Sequence, residues 1–179
     1  SQRLAVLLMS LGSVVGLAGI IPLFNKTSAF VLSLPWFLPW GRFSIAVDAV
    51  SLIFLLPVFV VPVLGSIYGL EYWKPSEHPD NSRQLTAFYG LLAGSMALVI
   101  VANNAILFLT AWEIMAISAY FAATAENDRK EVCRAGWIYL VATHTGTLCL
   151  IAMFILWRYA THSFALDSAQ AISPGLAGV

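Results

Sequence analysis

Residues 104–121 read Asn104-Ala-Ile-Leu-Phe-Leu-Thr110-Ala-Trp112-Glu113-Ile-Met115-Ala-Ile-Ser118-Ala-Tyr120-Phe121. The apolar run begins at Ala105 and continues to Ala125, and its one charged residue is Glu113. A helix that crosses a bilayer needs about 20 predominantly apolar residues. Residues 105–125 therefore predict a membrane-spanning helix with a carboxylate inside it. Asn103-Asn104 in front of the run reads as a very tight turn, and Glu126-Asn-Asp-Arg-Lys-Glu131 behind it as a compact charged loop.

Working outward, the same criterion predicts spans at about 85–102 and 134–157 on either side, and at 44–68 and 4–24 further upstream. The expected fold is an all-α integral membrane domain of about five transmembrane helices, one unit over residues 1–179. The first span follows Arg3 and resembles a signal peptide. Its apolar run is too long for a signal h-region of about 7–15 residues, and no convincing cleavage site follows, so it is read as retained. Pro57 and Pro62 are expected to kink the second span. Residues 25–43 hold Pro35, Trp36, Pro39 and Trp40, and predict a loop lying at one bilayer surface. Glu71 to Gln84 is the longest polar stretch, a surface loop or short interfacial helix. The segment 158–179 is weakly polar with no span. Repeats, low-complexity segments and strand-like alternation are absent, which argues against a β-barrel.

Composition supports the membrane reading. Of 179 residues, 60% are hydrophobic and only 10% charged, with nine basic and nine acidic side chains. Soluble domains carry about 25% charged residues. This balance excludes a disordered tail, a nucleic-acid binder driven by net charge and an ordinary soluble enzyme. Cys133 and Cys149 form neither a disulfide framework nor a metal-ligand spacing. No His or Cys pair suits a redox metal and no phosphate loop is present, so no cofactor is expected in this chain.

Orientation follows from the basic residues. Arg3, Lys74, Arg83, Arg129, Lys130 and Arg134 fall on one side of the five spans, and Lys26, Arg42 and Arg158 on the other. Positive loops stay cytoplasmic. Ser1 is therefore expected inside and Val179 outside.

Glu113 lies nine residues past Asn104 and thirteen before Glu126, roughly 13 Å from one end of its helix and 20 Å from the other. A carboxylate at that depth costs about 2.5–3.5 kcal/mol on the mildest scales. Burial favours its neutral form and a nearby cation its charged form, so a moving or titrating cation can switch it. The plainer reading is a protonated residue that pins two helices. His144 is ten residues in from Arg134, roughly 15 Å along the next helix. Consecutive spans joined by a short loop pack as neighbours, which brings His144 within reach of Glu113 directly or through water. Imidazole is suited to relaying protons. Thr143 and Thr147 share a helix face and could hold water beside it, with Tyr139 one turn earlier. The alternative for His144 is packing in a small-residue seam next to Gly146. Asp48 lies near the outer surface, either as a helix cap or at a pathway mouth. Trp112 and Met115 read as packing.

The run around Trp112-Glu113-Ile-Met-Ala-Ile-Ser-Ala-Tyr120-Phe121 resembles the Trp-Glu signature of the antiporter-like membrane subunits. These occur in respiratory complex I, in Mrp sodium/proton antiporters and in membrane-bound nickel–iron hydrogenases of the hydrogenase-4 type. Arg134-Ala-Gly-Trp-Ile-Tyr-Leu-Val-Ala-Thr-His144-Thr-Gly-Thr147 looks like the family's next helix, and Phe43-Ser-Ile-Ala-Val-Asp48-Ala-Val-Ser-Leu-Ile-Phe like an earlier one. Within the family, the Thr-His-Thr-Gly-Thr run points towards the hydrogenase-4 type.

The resemblance implies that Glu113 is one half of a Glu–Lys pair that switches a proton half-channel. The family's lysine helix has no match here: Lys26, Lys74 and Lys130 all lie outside the predicted spans. The chain is expected to correspond to family helices two to six of a larger core, which again puts Ser1 inside. The resemblance further implies a cell inner membrane of a bacterium or archaeon, and partner membrane subunits, one of which supplies the missing lysine helix. Iron–sulfur clusters and a nickel–iron site or flavin are expected on partner subunits. A non-conducting helical scaffold in such a complex is the alternative.

Overall fold

The computed structural model describes residues 2–25, 30–38, 41–73 and 81–167. Ser1, Lys26, Pro39, Trp40, Lys74, His78 and Val179, on which some expectations rest, lie outside the described residues. Five helices dominate: α1 (Gln2–Ile20), α2 (Ala49–Tyr72), α3 (Ser82–Val101), α4 (Ala105–Ala123) and α5 (Lys130–Thr161). All five are long and apolar enough to cross a membrane. A short 3-10 turn, Ile21–Asn25, continues α1 where Pro22 breaks it.

Much of the apolar surface of the helices faces outward. Large apolar side chains such as Val15, Leu148 and Leu156 face outward, 67–69% exposed. Small residues are prominent among the buried ones: Ala105, Ala111, Ala116 and Ser118 of α4, Ser95 of α3 and Thr147 of α5, beside larger ones such as Leu107 and Phe154. Small residues let backbones approach closely where no hydrophobic drive exists between helices. Gly136 is the clearest case, since a Cβ there would collide with Thr124 Cγ2 and crowd the Tyr120 ring. It is what lets the start of α5 lie against the end of α4. Elsewhere Phe88 of α3 stacks on Phe121 of α4 with centroids 4.3 Å apart. Ile20, Leu52 and Leu55 form a buried cluster between α1 and α2, joined by Ala97, Ile100 and Val101 of α3.

Three expectations are corrected. Residues 25–43 are not simply a loop: Phe30–Leu34 (β1) and Phe43–Val47 (β2) form an antiparallel hairpin with Leu32 opposite Ile45. Phe30, Val31, Phe43, Ile45 and Val47 are aromatic or β-branched, the types that strands prefer. The alternation is missing because β1 is exposed throughout and β2 half-buried throughout. Secondly, residues 44–47 belong to β2, so the second span starts at Ala49 and runs on to Tyr72, passing through both prolines as helix. Thirdly, α5 has 32 residues, about 48 Å of helix against a hydrocarbon core of about 30 Å. Its first turns carry Lys130, Glu131 and Arg134, so part of the charged loop is helix. It ends at His162, whose φ of 56° is left-handed and turns the chain back on itself.

Candidate functional site

The start of α4 is held by backbone bonds from two distant segments. Asn103 N–H donates to the Ser44 carbonyl of β2 (2.8 Å), Ala105 N–H to the Phe164 carbonyl (2.8 Å), and Leu166 N–H to the Asn103 carbonyl (3.1 Å). Asn104 caps the helix, its Oδ1 accepting from Ile106 N–H at 2.9 Å and Leu107 N–H at 3.4 Å. At the opposite end only six residues, 124–129, separate α4 from α5. The Asn81 amide, at the start of α3, donates to the Ala125 carbonyl in that connection. Both ends of the α4–α5 pair are tied, which fixes the register of one helix against the other.

That register brings three predicted residues together. Thr147 Oγ1 lies 2.5 Å from Glu113 Oε1. His144 Nε2 lies 3.7 Å from Glu113 Oε2. His144 Nδ1 is 2.9 Å from the Leu140 carbonyl oxygen. A carbonyl only accepts, so Nδ1 carries a proton and Nε2 is the nitrogen left facing the carboxylate. Thr147 Oγ1 also lies 3.2 Å from the Thr143 carbonyl, one turn back. Within this chain the Glu113 side chain is 32% exposed and His144 50%. The pair therefore opens on the side of the α4–α5 seam that no described residue covers.

The other predicted residues are not part of this group. Thr143 Oγ1 bonds back to the carbonyls of Tyr139 and Leu140, both at 3.0 Å. Tyr139 meets the group through that carbonyl. Asp48 is the N-cap of α2: its Oδ1 accepts from Ser51 N–H and from Ser51 Oγ–H, both at 2.7 Å. The bond from the Ser51 backbone, then that from its hydroxyl, holds the Asp48 carboxyl below its ordinary range. The cap is thus complete above the ordinary carboxylate range and is lost as pH falls through the lowered one. Asp48→Ala should cost α2 roughly 1 kcal/mol in cap energy, while Asp48→Asn keeps most of it. Thermal unfolding of the two variants in the assembled protein checks this. If Asp48→Asn is as destabilised as Asp48→Ala, the cap is not what the aspartate supplies.

Trp112 stacks on Phe108 at 6.0 Å, as packing. Its buried Nε1 has no hydrogen-bond partner among the described residues. No group of three His, Cys, Asp or Glu side chains gathers among the described residues. The clamp from β2 and residues 164–166 escaped sequence reasoning, because backbone-to-backbone bonds leave no side-chain signature.

No family model matches the chain. It is 29% identical over 182 residues to hydrogenase-4 component B of Escherichia coli, across 98% of this chain and 27% of that protein. It is 27% identical over 125 residues to Na(+)/H(+) antiporter subunit A1 of Staphylococcus haemolyticus, across 70% of this chain and 15% of that protein. Among solved structures, a chain of the Mrp complex from Dietzia sp. superposes with a TM-score of 0.70 at 17% identity. That match takes in 99% of this chain and 21% of the other, and it shows the fold alone. The chain thus spans about a quarter or less of the length of these relatives.

Proposed function

We infer a proton-handling role for this chain, which belongs to the antiporter-like membrane subunit family that includes hydrogenase-4, Mrp antiporter and complex I subunits. The observation that carries the reading is one carboxylate inside a span with a hydroxyl on one oxygen and an imidazole near the other. With the His144 Nδ1 proton held by the Leu140 carbonyl, one further proton has two places to sit, Nε2 or Glu113 Oε2. The 3.7 Å separation is closed by a small side-chain shift or an intervening water.

Thr147 supports both charge states of Glu113. When Glu113 is ionised, the hydroxyl donates to Oε1. When Glu113 is protonated at Oε2, Oε1 is its carbonyl oxygen and still accepts from the Thr147 hydroxyl. Neither state strands a polar group in the apolar interior, where an unpaired group is costly. The proton can therefore move without a helix moving.

The open side of Glu113 is read as facing other helices of the same complex, one of which brings the lysine that this chain lacks. Redox centres, iron–sulfur with nickel–iron or flavin, are assigned to partner subunits. The chain itself is assigned to a bacterial or archaeal cell inner membrane as a subunit without a redox centre of its own. Proton translocation by membranes carrying Glu113→Gln tests the reading, and an unchanged ratio of protons to electrons overturns it. The scaffold reading is favoured by one observation: the described lysine, Lys130, is the first residue of α5, fourteen residues from His144, roughly 21 Å along the helix.

The proposed orientation puts the hairpin, the Asn103-Asn104 turn and residues 162–167 outside, and the 124–129 connection inside. Asp128 and Asp167 are both exposed, one in each group. In a background with Cys133 and Cys149 replaced, an impermeant maleimide should label Asp128→Cys from the cytoplasmic face only and Asp167→Cys from the outer face only. The reverse pattern inverts the topology.

A further inference from the structure

Where α4 begins and α5 ends, a cavity of about 390 Å³ opens, lined by Arg42, Arg158 and His162 together with Asn104, Ser163 and Phe164. Three chain segments converge there. Arg42 immediately precedes β2, Arg158 sits in the last turn of α5, and His162 is its left-handed cap. The walls are fixed by backbone bonds: His162 N–H donates to the Arg158 carbonyl (2.8 Å) and Ala105 N–H to the Phe164 carbonyl (2.8 Å). The Arg158 guanidinium lies 4.8 Å over the centroid of the Phe164 ring, which also lines the cavity.

Neither arginine makes an ion pair with a carboxylate among the described residues. The carboxylates nearest in sequence do not serve. Asp48 is committed to Ser51, and Asp167 forms no ion pair among the described residues. Two guanidiniums without an ion pair among the described residues, and an imidazole beside them at one mouth, call for an anion. The guanidinium fork matches a phosphate bidentately. The position matters as much as the charge. The cavity lies at the ends of two membrane-spanning helices, the depth of lipid headgroups. Beside it, Leu156 is 69% and Tyr159 84% exposed on α5, an apolar flank with an aromatic at interface depth.

We propose that this cavity binds the phosphodiester headgroup of an anionic phospholipid of the phosphatidylglycerol class, whose acyl chains lie along the exposed face of α5. The site is independent of Glu113 and holds for a conducting or a non-conducting subunit. Arg42 and Arg158 grip the phosphate from opposite walls, and His162 adds a third donor. The lipid neutralises positive charge on the side of the membrane that carries fewer basic residues.

The test uses the full-length protein in its complex, reconstituted with photoactivatable phosphatidylglycerol or phosphatidylcholine carrying a diazirine in the acyl chain. Cross-links are mapped by mass spectrometry to residues 155–167. Phosphatidylglycerol should label this peptide in clear excess over phosphatidylcholine. The Arg42→Gln/Arg158→Gln pair should lower that excess roughly tenfold or more, as expected for two basic contacts at a lipid surface. The Arg42→Lys/Arg158→Lys pair keeps the charge without the fork and should retain an intermediate excess, which separates lost binding from lost folding. Millimolar inorganic phosphate should not compete. Equal labelling by the two lipids, full labelling of the Gln pair, or displacement by inorganic phosphate each overturns the proposal. The first outcome points to an acidic protein segment covering the arginines, and the last to a free-anion site.

Discussion

Replacing Glu113 by Gln is expected to cut proton translocation by the assembled complex by at least about tenfold, while electron transfer to artificial acceptors at the peripheral subunits continues. Gln keeps the shape and can still accept from Thr147, but it cannot titrate. No neighbour can substitute. Among the described residues the other carboxylates are Asp48, Glu71, Glu126, Asp128, Glu131 and Asp167, all at helix ends or in connections. The loss is amplified if a partner lysine faces Glu113, because breaking a buried pair leaves its cation uncompensated at a cost of about 3–5 kcal/mol. Proton-to-electron ratios in inverted vesicles provide the measurement. A wild-type ratio in the Gln variant makes Glu113 structural and leaves the scaffold reading standing.

The same comparison separates an intact relay from a wrongly assembled one. A scaffold defect lowers the amount of complex and both activities together. A proton-path defect leaves the amount and the electron transfer and removes the coupling. Glu113 is one third exposed in this chain and does not sit in the tightly packed α3–α4 seam, so the substitution leaves packing largely as it is.

What the sequence disclosed about the fold divides along physical lines. The five spans are legible because lipid demands long uncharged runs, and their number survives errors at every boundary. The boundaries fail where the signal is local. Ser44 to Val47 is as apolar as a helix start, and only Asp48, a capping residue four positions later, marks where α2 begins. The hairpin is hidden because both of its faces are apolar or half-buried, which removes the period of two by which strands are recognised. The overlong α5 is hidden because Lys130, Glu131 and Arg134 read as a loop, although charged residues sit readily in a helix that projects beyond the membrane.

The site is legible in depth and not in azimuth. Rise per residue puts Glu113 and His144 at similar heights, and adjacency of consecutive spans brings them together. Neither argument tells Thr143 from Thr147. Both lie on one face of α5, but Thr143 turns its hydroxyl back onto the carbonyls of Tyr139 and Leu140. Thr147 turns towards Glu113 because the clamp at the far end of α4 sets which turn of α5 meets it. That clamp is made of main-chain groups at Asn103, Ala105 and Leu166.

Thr147→Val should therefore have a large effect and Thr143→Val a small one. Valine fills the space of threonine but offers no hydroxyl, so the ionised Glu113 loses the hydrogen bond at Oε1. Bonds to charged groups are worth about 1.5–3 kcal/mol, which at 1.4 kcal/mol per decade slows the step that leaves Glu113 charged by roughly ten- to a hundredfold. The protonated state suffers as well, because its Oε1 then has no donor on α5 at that position. Thr147→Ser restores the hydroxyl and should recover most of the rate. His144→Ala is expected to fall between the two, since water can bridge a missing ring across the open side of the pair. The order Thr147→Val, His144→Ala, Thr143→Val in proton transfer, at equal complex abundance, follows from the geometry around Glu113. Equal rates for the two valine variants would mean that the hydroxyl beside Glu113 carries no proton traffic and that Thr147, like Thr143, serves only its own helix.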